Sequence, residues 1–324
     1  MSAFMQNYHD LLRLTLDSGV DQLNLRTGKV CRAIVGHQIQ YDLRQGFPAL
    51  TTRKLPFKNI VGELLGFFRG YDSAADFRDL GCNFWNQNAN ETPAWLANPH
   101  RSGRLDFLGR IYGKKWTDWR DRRIATSEVE RDELLARGFE QRLFDESQGA
   151  WLLERGINQL EDCLRKLITD LSDRRIIVSA WRPDEIDQQC LPACHMDYRF
   201  VPFENPRVLN VVMTIRSWDL FLGAPANICS TALFLSIMAR LAGYEPGVVT
   251  IQATIVHAYA DHFLAIEELL KREHFPSPKL VLSERIALAK NLDDIPGIFE
   301  RIEPTDLQLD GYHSHDAIKA KMAA

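Results

Sequence analysis

The 324-residue sequence is poor in glycine and proline, which number 19 and 14, and it contains no internal repeat or low-complexity segment. Fibrous and disordered proteins are rich in such features, so both classes are excluded. An excess of one charge sign is also missing, because 39 basic and 43 acidic side chains give a formal net charge of −4. Binding to nucleic acid would need a local basic patch, and we do not expect nucleic acid to take part in catalysis.

Uncharged apolar runs of about 20 residues, the length needed to cross a bilayer, are absent. The longest candidate, Ile228 to Leu241, is predicted to be a buried helix. The N-terminus carries Asp10 and Asp17 and lacks a basic segment followed by an unbroken apolar stretch, so it does not resemble a secretory signal. We therefore expect a cytoplasmic protein that does not bind a membrane.

The six cysteines, at positions 31, 82, 163, 190, 194 and 229, show neither C-x-x-C spacing nor paired histidines. This scatter argues against a structural zinc site and a disulfide framework, so we expect no bound metal. Cys194 follows Pro192 in the segment LPACH and is a candidate nucleophile, although a single cysteine is more typically a small buried apolar residue. Neighbouring residues of an extended chain point in opposite directions, so a cation from elsewhere, rather than His195, would have to activate the thiol.

Helical and strand-like segments interleave along the chain. Leucine and isoleucine recur at three- and four-residue steps between Leu153 and Leu171, which predicts a helix. The β-branched segments 175–181, 208–215 and 248–256 predict strands. Because these strands are far apart and no Gly-rich phosphate loop is present, we predict an α+β fold in which helices pack on one large mixed sheet.

We find no linker that divides the chain, so the prediction is a single domain spanning residues 1–324. Its only shift in composition lies between about residues 119 and 156, where charged residues are dense and apolar residues are sparse. This pattern predicts a charged helical insertion exposed to solvent.

Arginines lie at the predicted strand ends. Arg174 and Arg175 open one strand, whereas Arg216 and Ser217 close another. A guanidinium group suits phosphate oxygens and serine adds a hydroxyl donor, so convergence of these side chains with Arg26 would form a phosphate site. Taken singly, each arginine is more typical of a surface or ion-pair residue.

Glu63 lies between Gly62 and Gly66 in the helix-forming segment NIVGELLGFFRG. Such a carboxylate either faces water, which is the usual outcome, or is packed closely and acts as an acid or base. Each glycine weakens a helix by roughly 1 kcal/mol relative to alanine, and a solvated face would not need them.

Three further residues have both a structural and a functional interpretation. Asn227 precedes an apolar segment and is locally predicted to cap a helix, but its amide also suits the edge of a planar heterocycle such as uracil. His257 and Tyr259 stand on one face of a predicted strand, as a structural pair or as ligands of a sugar hydroxyl.

These residues belong to blocks that follow one another in a recognisable order: RTG (26–28), GFPALTTRK (46–54), GELLGFFRG (62–70), RIYGKKW (110–116), DRRIIVSAW (173–181), LPACH (191–195), RSWDLFLGAPAN (216–227) and HAYADH (257–262). From about Arg26 to the C-terminus the sequence resembles the thymidylate synthase family, and segment 82–103 with the charged insertion resembles a longer bacterial subtype. The resemblance implies a homodimer formed through the sheet. It also implies dUMP and 5,10-methylenetetrahydrofolate as substrates, with dTMP and dihydrofolate as products.

The resemblance implies a role for each site residue. Cys194 would add to C6 of dUMP, and the C-terminal segment AIKAKMAA would close over the folate. The catalytic set would be Cys194, Glu63, Tyr112, Arg216 and Asn227. The nucleotide and pterin contacts would come from Arg26, Ser217, Asp219, Asn227, His257 and Tyr259, with Arg174 and Arg175 donated by the other subunit. The folate would be bound by Trp85, Asp219, Gly223 and Ala324.

Four internal positions depart from the common pattern of that family, and the sequence ends in Met-Ala-Ala where a branched last residue is more usual. Trp218 replaces a small residue, Ala226 a Phe, Asn88 a second Trp, and Ile255 an acidic residue, and most of these positions are expected to shape the folate pocket. They leave room for a dUMP hydroxymethylase, as in phage relatives, in which water rather than hydride captures the exocyclic methylene. Retention of Trp85 favours hydride transfer.

A dCMP-specific enzyme and a protein that only binds nucleotide or RNA are both less favoured. The dCMP-specific enzyme would be expected to carry Asp at position 227, where this chain has Asn227. The non-catalytic binding protein would be expected to lose its nucleophile, yet Cys194, Glu63 and Arg216 are all present.

Overall fold

The structure is a computed structural model that describes residues 4–25 and 27–320. Arg26 and Ala324, to which the sequence assigns binding roles, lie outside the described residues. The helices are α1 (Gln6–Ser18), α2 (Phe57–Phe68), α3 (Ala74–Asp79), α4 (Asn86–Asn90), α5 (Pro93–Leu96), α6 (Tyr112–Thr117), α7 (Glu128–Ala136), α8 (Gln159–Thr169), α9 (Gly223–Ala242) and α10 (Phe263–Leu270). The strands are β1 (Val20–Asn24), β2 (Lys29–Asp42), β3 (Trp119–Ala125), β4 (Glu140–Asp145), β5 (Ala150–Ile157), β6 (Ile177–Ser179), β7 (His195–Phe203), β8 (Val208–Asp219), β9 (Glu245–Tyr259), β10 (Lys279–Leu282) and β11 (Leu307–Asp310).

In the described part of the chain, the largest sheet has six strands in the order β1-β2-β9-β8-β7-β6. Its neighbours pair antiparallel except β8 and β9, which run parallel and are joined through α9. A parallel pair needs such a crossover, because a tight turn cannot return the chain to the same end of the sheet. The predicted α+β architecture with a large mixed sheet is confirmed, and the predicted strands at 208–215 and 248–256 lie within β8 and β9.

Helix α9 is the buried helix that the sequence predicts between Ile228 and Leu241. Among the described residues it is the one helix long and apolar enough to cross a membrane, and 83% of its most apolar stretch is buried inside the protein. It begins at Gly223, so Asn227 lies inside the helix and the local prediction of an N-cap is wrong. Its side chain therefore does not serve the first helical N–H groups.

The charged segment forms a second, small sheet in the order β3-β5-β4, with α7 packed against it. The prediction of a helical insertion is therefore correct only for α7 and wrong for the rest of the segment, which forms strands. Its charged side chains pair across strands, as Arg122 does with Glu154 and Arg155 with Asp121. Opposite charges on neighbouring strands stabilise a sheet, so the dense charge reflects strand pairing as well as the exposed surface of α7.

The predicted helix over 153–171 is only partly confirmed. Leu153 belongs to β5, and α8 begins after Asn158, whose side chain accepts hydrogen bonds from the N–H groups of Leu160 and Glu161 at 3.2 and 3.3 Å. This N-cap interrupts what looks like one continuous apolar repeat. The predicted strand 175–181 is likewise shorter, because β6 spans only Ile177–Ser179.

The glycines around Glu63 allow close packing of α2. A Cβ atom on Gly62 would lie 2.6 Å from the carbonyl oxygen of Leu80, and one on Gly66 would lie 2.2 Å from the ring of Phe77. Any side chain at these positions would collide with α3 and the loop after it. The close packing of α2 around Glu63 is therefore confirmed, whereas the action of Glu63 as an acid or base stays a prediction.

Candidate active site

Cys194 lies immediately before β7, where two side chains fix its surroundings. Its backbone N–H donates to the hydroxyl of Tyr112 at 2.7 Å, and Nη2 of Arg216 lies 3.8 Å from its Sγ. The guanidinium is anchored by hydrogen bonds from Nε to the carbonyl of Ala193 at 2.8 Å and from Nη2 to that of Pro192 at 3.0 Å. The thiol thus has the nearby cation that its activation requires.

His195 contacts different partners from its neighbour. One ring nitrogen, Nδ1, lies 3.0 Å from the hydroxyl of Tyr198, and the side chain also hydrogen-bonds to Asn227. Burial lowers the pKa of His195 to about 4, an effect that the Asn227 contact partly offsets, so the imidazole is neutral near pH 7. His195 therefore supports the site as an uncharged hydrogen-bonding group.

Glu63 and two predicted partners form one wall of the site. Burial raises the pKa of Glu63 to about 7, and the side chain of Trp85 acts in the opposite direction. The ring centroids of Trp85 and Tyr112 lie 6.2 Å apart, and both rings pack against Phe67. Burial also raises the pKa of Tyr112 well above its usual value, so its hydroxyl stays protonated. A carboxyl group with a pKa near 7 can both give and take a proton at neutral pH.

Asn227 reaches into the site from the second turn of α9. The indole N–H of Trp218 donates to its Oδ1 at 3.2 Å. A Cβ atom on Gly223 would lie 3.3 Å from the same oxygen, so glycine leaves space around the amide. The hydrogen bond from Trp218 therefore fixes the orientation of the Asn227 amide at the end of β8, near the turn that carries Asp219.

Asp219, His257 and Tyr259 meet where the parallel strands β8 and β9 end. Asp219 is the register partner of His257, and its Oδ1 accepts hydrogen bonds from the N–H groups of Phe221 and Leu222 at 2.9 and 3.3 Å. The rings of His257 and Tyr259 pack edge to face at 5.2 Å. The parallel pairing of β8 and β9 places these polar groups at one end of the strands, whereas the motif spacing predicted only that His257 and Tyr259 share a strand face.

The predicted phosphate residues are only partly brought together. Ser217 follows Arg216 on β8 and is partly buried. Arg174 and Arg175 are exposed, and Arg175 pairs with Asp173 at 2.8 Å. No hydrogen bond or ion pair described within this chain joins those two arginines to Arg216.

Three residues that touch the site were given no catalytic or binding role from the sequence. His195 and Trp218 contact Asn227, and the ring of Trp181 lies 5.5 Å from the guanidinium carbon of Arg216. Each belongs to one of the sequence blocks given above. Its nearness in sequence to a predicted site residue could therefore have indicated that it lies at the site. In the described ranges, 4–25 and 27–320, no group of three or more His, Cys, Asp or Glu side chains is arranged to hold a metal.

Comparison with known proteins identifies the family. The model of the thymidylate synthase family matches residues 6–324, a longer span than the blocks from about Arg26 indicate. The chain is 41% identical to the thymidylate synthase of Pseudomonas putida and 40% identical to that of Bordetella parapertussis, in each case over 98% of this chain and 100% of the relative. It is 35% identical to that of Shewanella loihica, over 97% of this chain and 98% of the relative. The chain belongs to the thymidylate synthase family.

Proposed function

We propose that this methyltransferase converts dUMP to dTMP through a covalent bond between Cys194 Sγ and C6 of the pyrimidine. Family membership supports the overall reaction. The observation that carries the covalent step is the guanidinium of Arg216 at 3.8 Å from Sγ, held by two backbone carbonyls. A fixed cation beside a thiol favours the thiolate, which is the nucleophilic form.

Addition of the thiolate to C6 moves the C5=C6 electron pair toward C5 and O4. Nδ2 of Asn227 donates to the developing charge on O4, because Trp218 already holds Oδ1 on the other side of the amide. C5 then becomes the nucleophile that takes the one-carbon unit. Bound 5,10-methylenetetrahydrofolate supplies that carbon and the hydride that reduces it. Loss of the C5 proton breaks the bond between the transferred carbon and the folate nitrogen and leaves an exocyclic methylene on C5. Addition of the hydride to this methylene expels Sγ, which restores the C5=C6 bond and releases Cys194.

Glu63 serves these proton transfers. Its pKa of about 7 leaves comparable amounts of acid and carboxylate at neutral pH. Tyr112, which contacts the backbone of Cys194 at 2.7 Å, assists removal of the C5 proton. The two groups share one aromatic wall with Trp85, so a proton on the pyrimidine would meet them from the same side.

The residues present fit a flat reduced folate. Trp85 offers an indole beside the Glu63 carboxyl. Asp219 uses Oδ1 for both described turn hydrogen bonds, which leaves Oδ2 to hydrogen-bond a pterin. The C-terminal segment is anchored by the N–H of His315, which donates to the carbonyl oxygen of Thr51 at 2.9 Å. We infer that the residues beyond it close over the folate and exclude water, with Ala324 at the end of this lid.

The nucleotide phosphate is held by Arg216, Ser217 and Arg26, together with Arg174 and Arg175 of a second copy of the chain. The exposure of the last two residues supports this arrangement, because a partner would cover them. His257 and Tyr259 bind the deoxyribose hydroxyl. Exposed apolar residues on the large sheet, among them Val35 and Val201, support a homodimer formed through that sheet.

Subunit mixing tests the shared site. Chains carrying Cys194→Ala would be mixed with chains carrying Arg174→Ala and Arg175→Ala, each inactive alone. Mixed dimers contain one site with an intact nucleophile and intact partner arginines, so activity should reappear after exchange. Continued inactivity of mixed dimers, verified by native mass spectrometry, would contradict arginine donation.

The product assay tests the proposed reaction. Dihydrofolate formation is followed by ultraviolet absorbance, and the nucleotide is analysed by mass spectrometry. We expect dTMP and dihydrofolate in equal amounts. If the smaller Ala226 and Asn88 side chains admit an ordered water, the products are 5-hydroxymethyl-dUMP and tetrahydrofolate instead, and a dUMP hydroxymethylase replaces our proposal.

We also propose that the reaction takes place in the cytoplasm. All six cysteines, each within the described part of the chain, are reduced thiols rather than disulfides. A reducing compartment maintains thiols in this state.

A further inference from the structure

Trp218 is the departure from the family pattern whose contact is best defined. It is fully buried on β8, and its indole N–H donates to Oδ1 of Asn227 at 3.2 Å. An indole nitrogen can only donate a hydrogen bond, whereas hydroxyl and imidazole groups can both donate and accept. Of the groups around Asn227, Trp218 is therefore the one whose hydrogen bond requires the amide oxygen, rather than the amide nitrogen, to face it.

We propose that Trp218 is a positioning residue that holds the Asn227 amide in the orientation that reads uracil rather than cytosine. Uracil presents an N3–H donor and an O4 acceptor, so it needs the amide oxygen facing N3 and the amide nitrogen facing O4. Cytosine presents the reverse pattern and needs the amide turned over. This inference rests on the proposed function, in which Asn227 contacts the base.

Turning the amide over would be unfavourable in this chain. It would place the NH₂ group of Asn227 against the indole N–H of Trp218, so two donors would face each other in a buried site. A buried donor without an acceptor costs free energy, whereas the observed orientation satisfies the indole. Discrimination against cytosine thus includes a penalty on the protein side, in addition to mismatched contacts with the base.

The test compares variants by their preference for dUMP over dCMP. Trp218→Phe keeps an aromatic ring in the core and removes the N–H donor. Competition between the two nucleotides, with products separated by mass spectrometry, gives the ratio of their kcat/KM values. We expect this ratio to fall about tenfold, equivalent to about 1.4 kcal/mol, through weaker use of dUMP and stronger use of dCMP.

Trp116→Phe is the matched control. Trp116 is also fully buried among aromatic rings, and its Nε1 has no hydrogen-bond partner among the described residues. The control replaces a core tryptophan by a smaller aromatic ring without removing a hydrogen bond. It should therefore lower thermal stability by a similar amount and leave the ratio of kcat/KM values for the two nucleotides unchanged. Equal ratios in the two variants and the wild type would overturn the inference and reduce Trp218 to a packing residue.

A second substitution keeps the test valid if Trp218→Phe does not fold. Site-specific incorporation of 3-benzothienylalanine at position 218 replaces the indole N–H by sulfur and preserves the ring size. The same fall in the ratio is expected, and an unchanged ratio overturns the inference. A wild-type protein that turns over no dUMP would instead refute the proposed function itself, so the two failures are distinguishable.

Discussion

The wall that carries Glu63 and the small sheet formed by β3, β4 and β5 are stabilised in opposite ways. Glu63 sits among closely packed aromatic rings, where burial dominates its titration. The small sheet has a minor core of four buried residues, Ala125, Leu134, Phe139 and Leu153, surrounded by ion pairs that join exposed arginines to partly buried or exposed carboxylates. Exposed ion pairs each contribute about 1 kcal/mol or less, so this sheet depends heavily on its few apolar contacts.

The comparison shows that loss of solvation has its largest effect at the buried wall, where burial raises the pKa of Glu63 to about 7. Within the wall that carries Glu63, the pKa of a carboxyl or thiol can be shifted far from its usual value, because water is replaced by fixed neighbours. In the small sheet, ion pairing rather than burial has the largest effect: the hydrogen bond between Arg122 and Glu154 lowers the pKa of the Glu154 carboxyl and raises the pKa of the Arg122 guanidinium. The two regions should therefore respond differently to substitution.

The largest loss of activity is expected from substitution of Cys194. Cys194→Ala should reduce dTMP formation by about 10⁴-fold or more, as removal of a nucleophile does in other enzymes. Binding of dUMP, measured by calorimetry, should weaken less than about tenfold, because the arginines and Asn227 do not depend on the sulfur.

The covalent step has its own readout and control. The adduct with 5-fluoro-dUMP and methylenetetrahydrofolate should be visible by intact-mass analysis in the wild type and absent in Cys194→Ala. Cys190→Ala is the matched control, because burial raises the pKa of the Cys190 thiol to about 12 and makes it inert. A covalent adduct that persists in Cys194→Ala would refute the assignment of the nucleophile.

Glu63→Gln tests the wall through both activity and stability. Loss of the acid and base should slow turnover by about 10²- to 10⁴-fold. Because its pKa rises from 4.5 to about 7 on folding, the native protein holds this proton after the unfolded chain has released it. The free energy of unfolding should then fall by about 3 kcal/mol as the pH rises from about 4.5 to about 7.

Denaturant unfolding at several pH values would measure this effect as the difference between wild type and Glu63→Gln. The variant cannot ionise at this position, so it should gain stability relative to the wild type as the pH rises. Parallel pH profiles for the two proteins would show that burial does not govern this carboxyl.

Asn227→Asp is expected to have a smaller effect that is specific to the base. A carboxylate offers only acceptors, which suit the amino group of cytosine, so the preference for dUMP over dCMP should fall at least about tenfold in competition kinetics. Thr231→Val is the control, because Thr231 Oγ1 bonds to the backbone carbonyl of Asn227 at 2.7 Å and not to its amide. An equal ratio in both variants would leave Asn227 with no role in base recognition.

Phe139→Ala should have the smallest effect on activity and a local effect on structure. Phe139 is buried in the minor core and lies beneath the guanidinium of Arg155 at 4.5 Å. Its removal should destabilise the small sheet by about 3–5 kcal/mol. Hydrogen exchange should accelerate between residues 119 and 157 while dTMP formation stays near the wild-type rate, and a large loss of activity would show that the two regions are coupled.

Much of the site was predictable because its residues occur in ordered blocks. The position of His257 two residues before Tyr259 indicates a shared strand face by local rules alone, whereas the glycines around Glu63 left both a solvated and a closely packed carboxylate open. The small sheet escaped prediction because residues such as Arg122 and Glu154 meet only after β3 and β5 pair. Periodicity along the chain does not contain that tertiary information.

Two further details were beyond local prediction for related reasons. Whether Asn227 caps α9 or lies inside it depends on where the preceding turn ends, and hydrogen bonds to Asp219 set that turn. The partnership of Trp218 with Asn227 joins a strand to a helix, so neither element alone indicates it.

Because the six thiols differ in exposure, alkylation can be used to count the proposed active sites in a preparation. Of the six cysteines, all within the described residues, Cys194 is partly exposed and the other five are buried. A limiting amount of an alkylating reagent such as iodoacetamide should therefore label the thiol beside Arg216 first, and bound nucleotide should protect it. The labelled fraction would report how many molecules in a preparation carry a competent nucleophile.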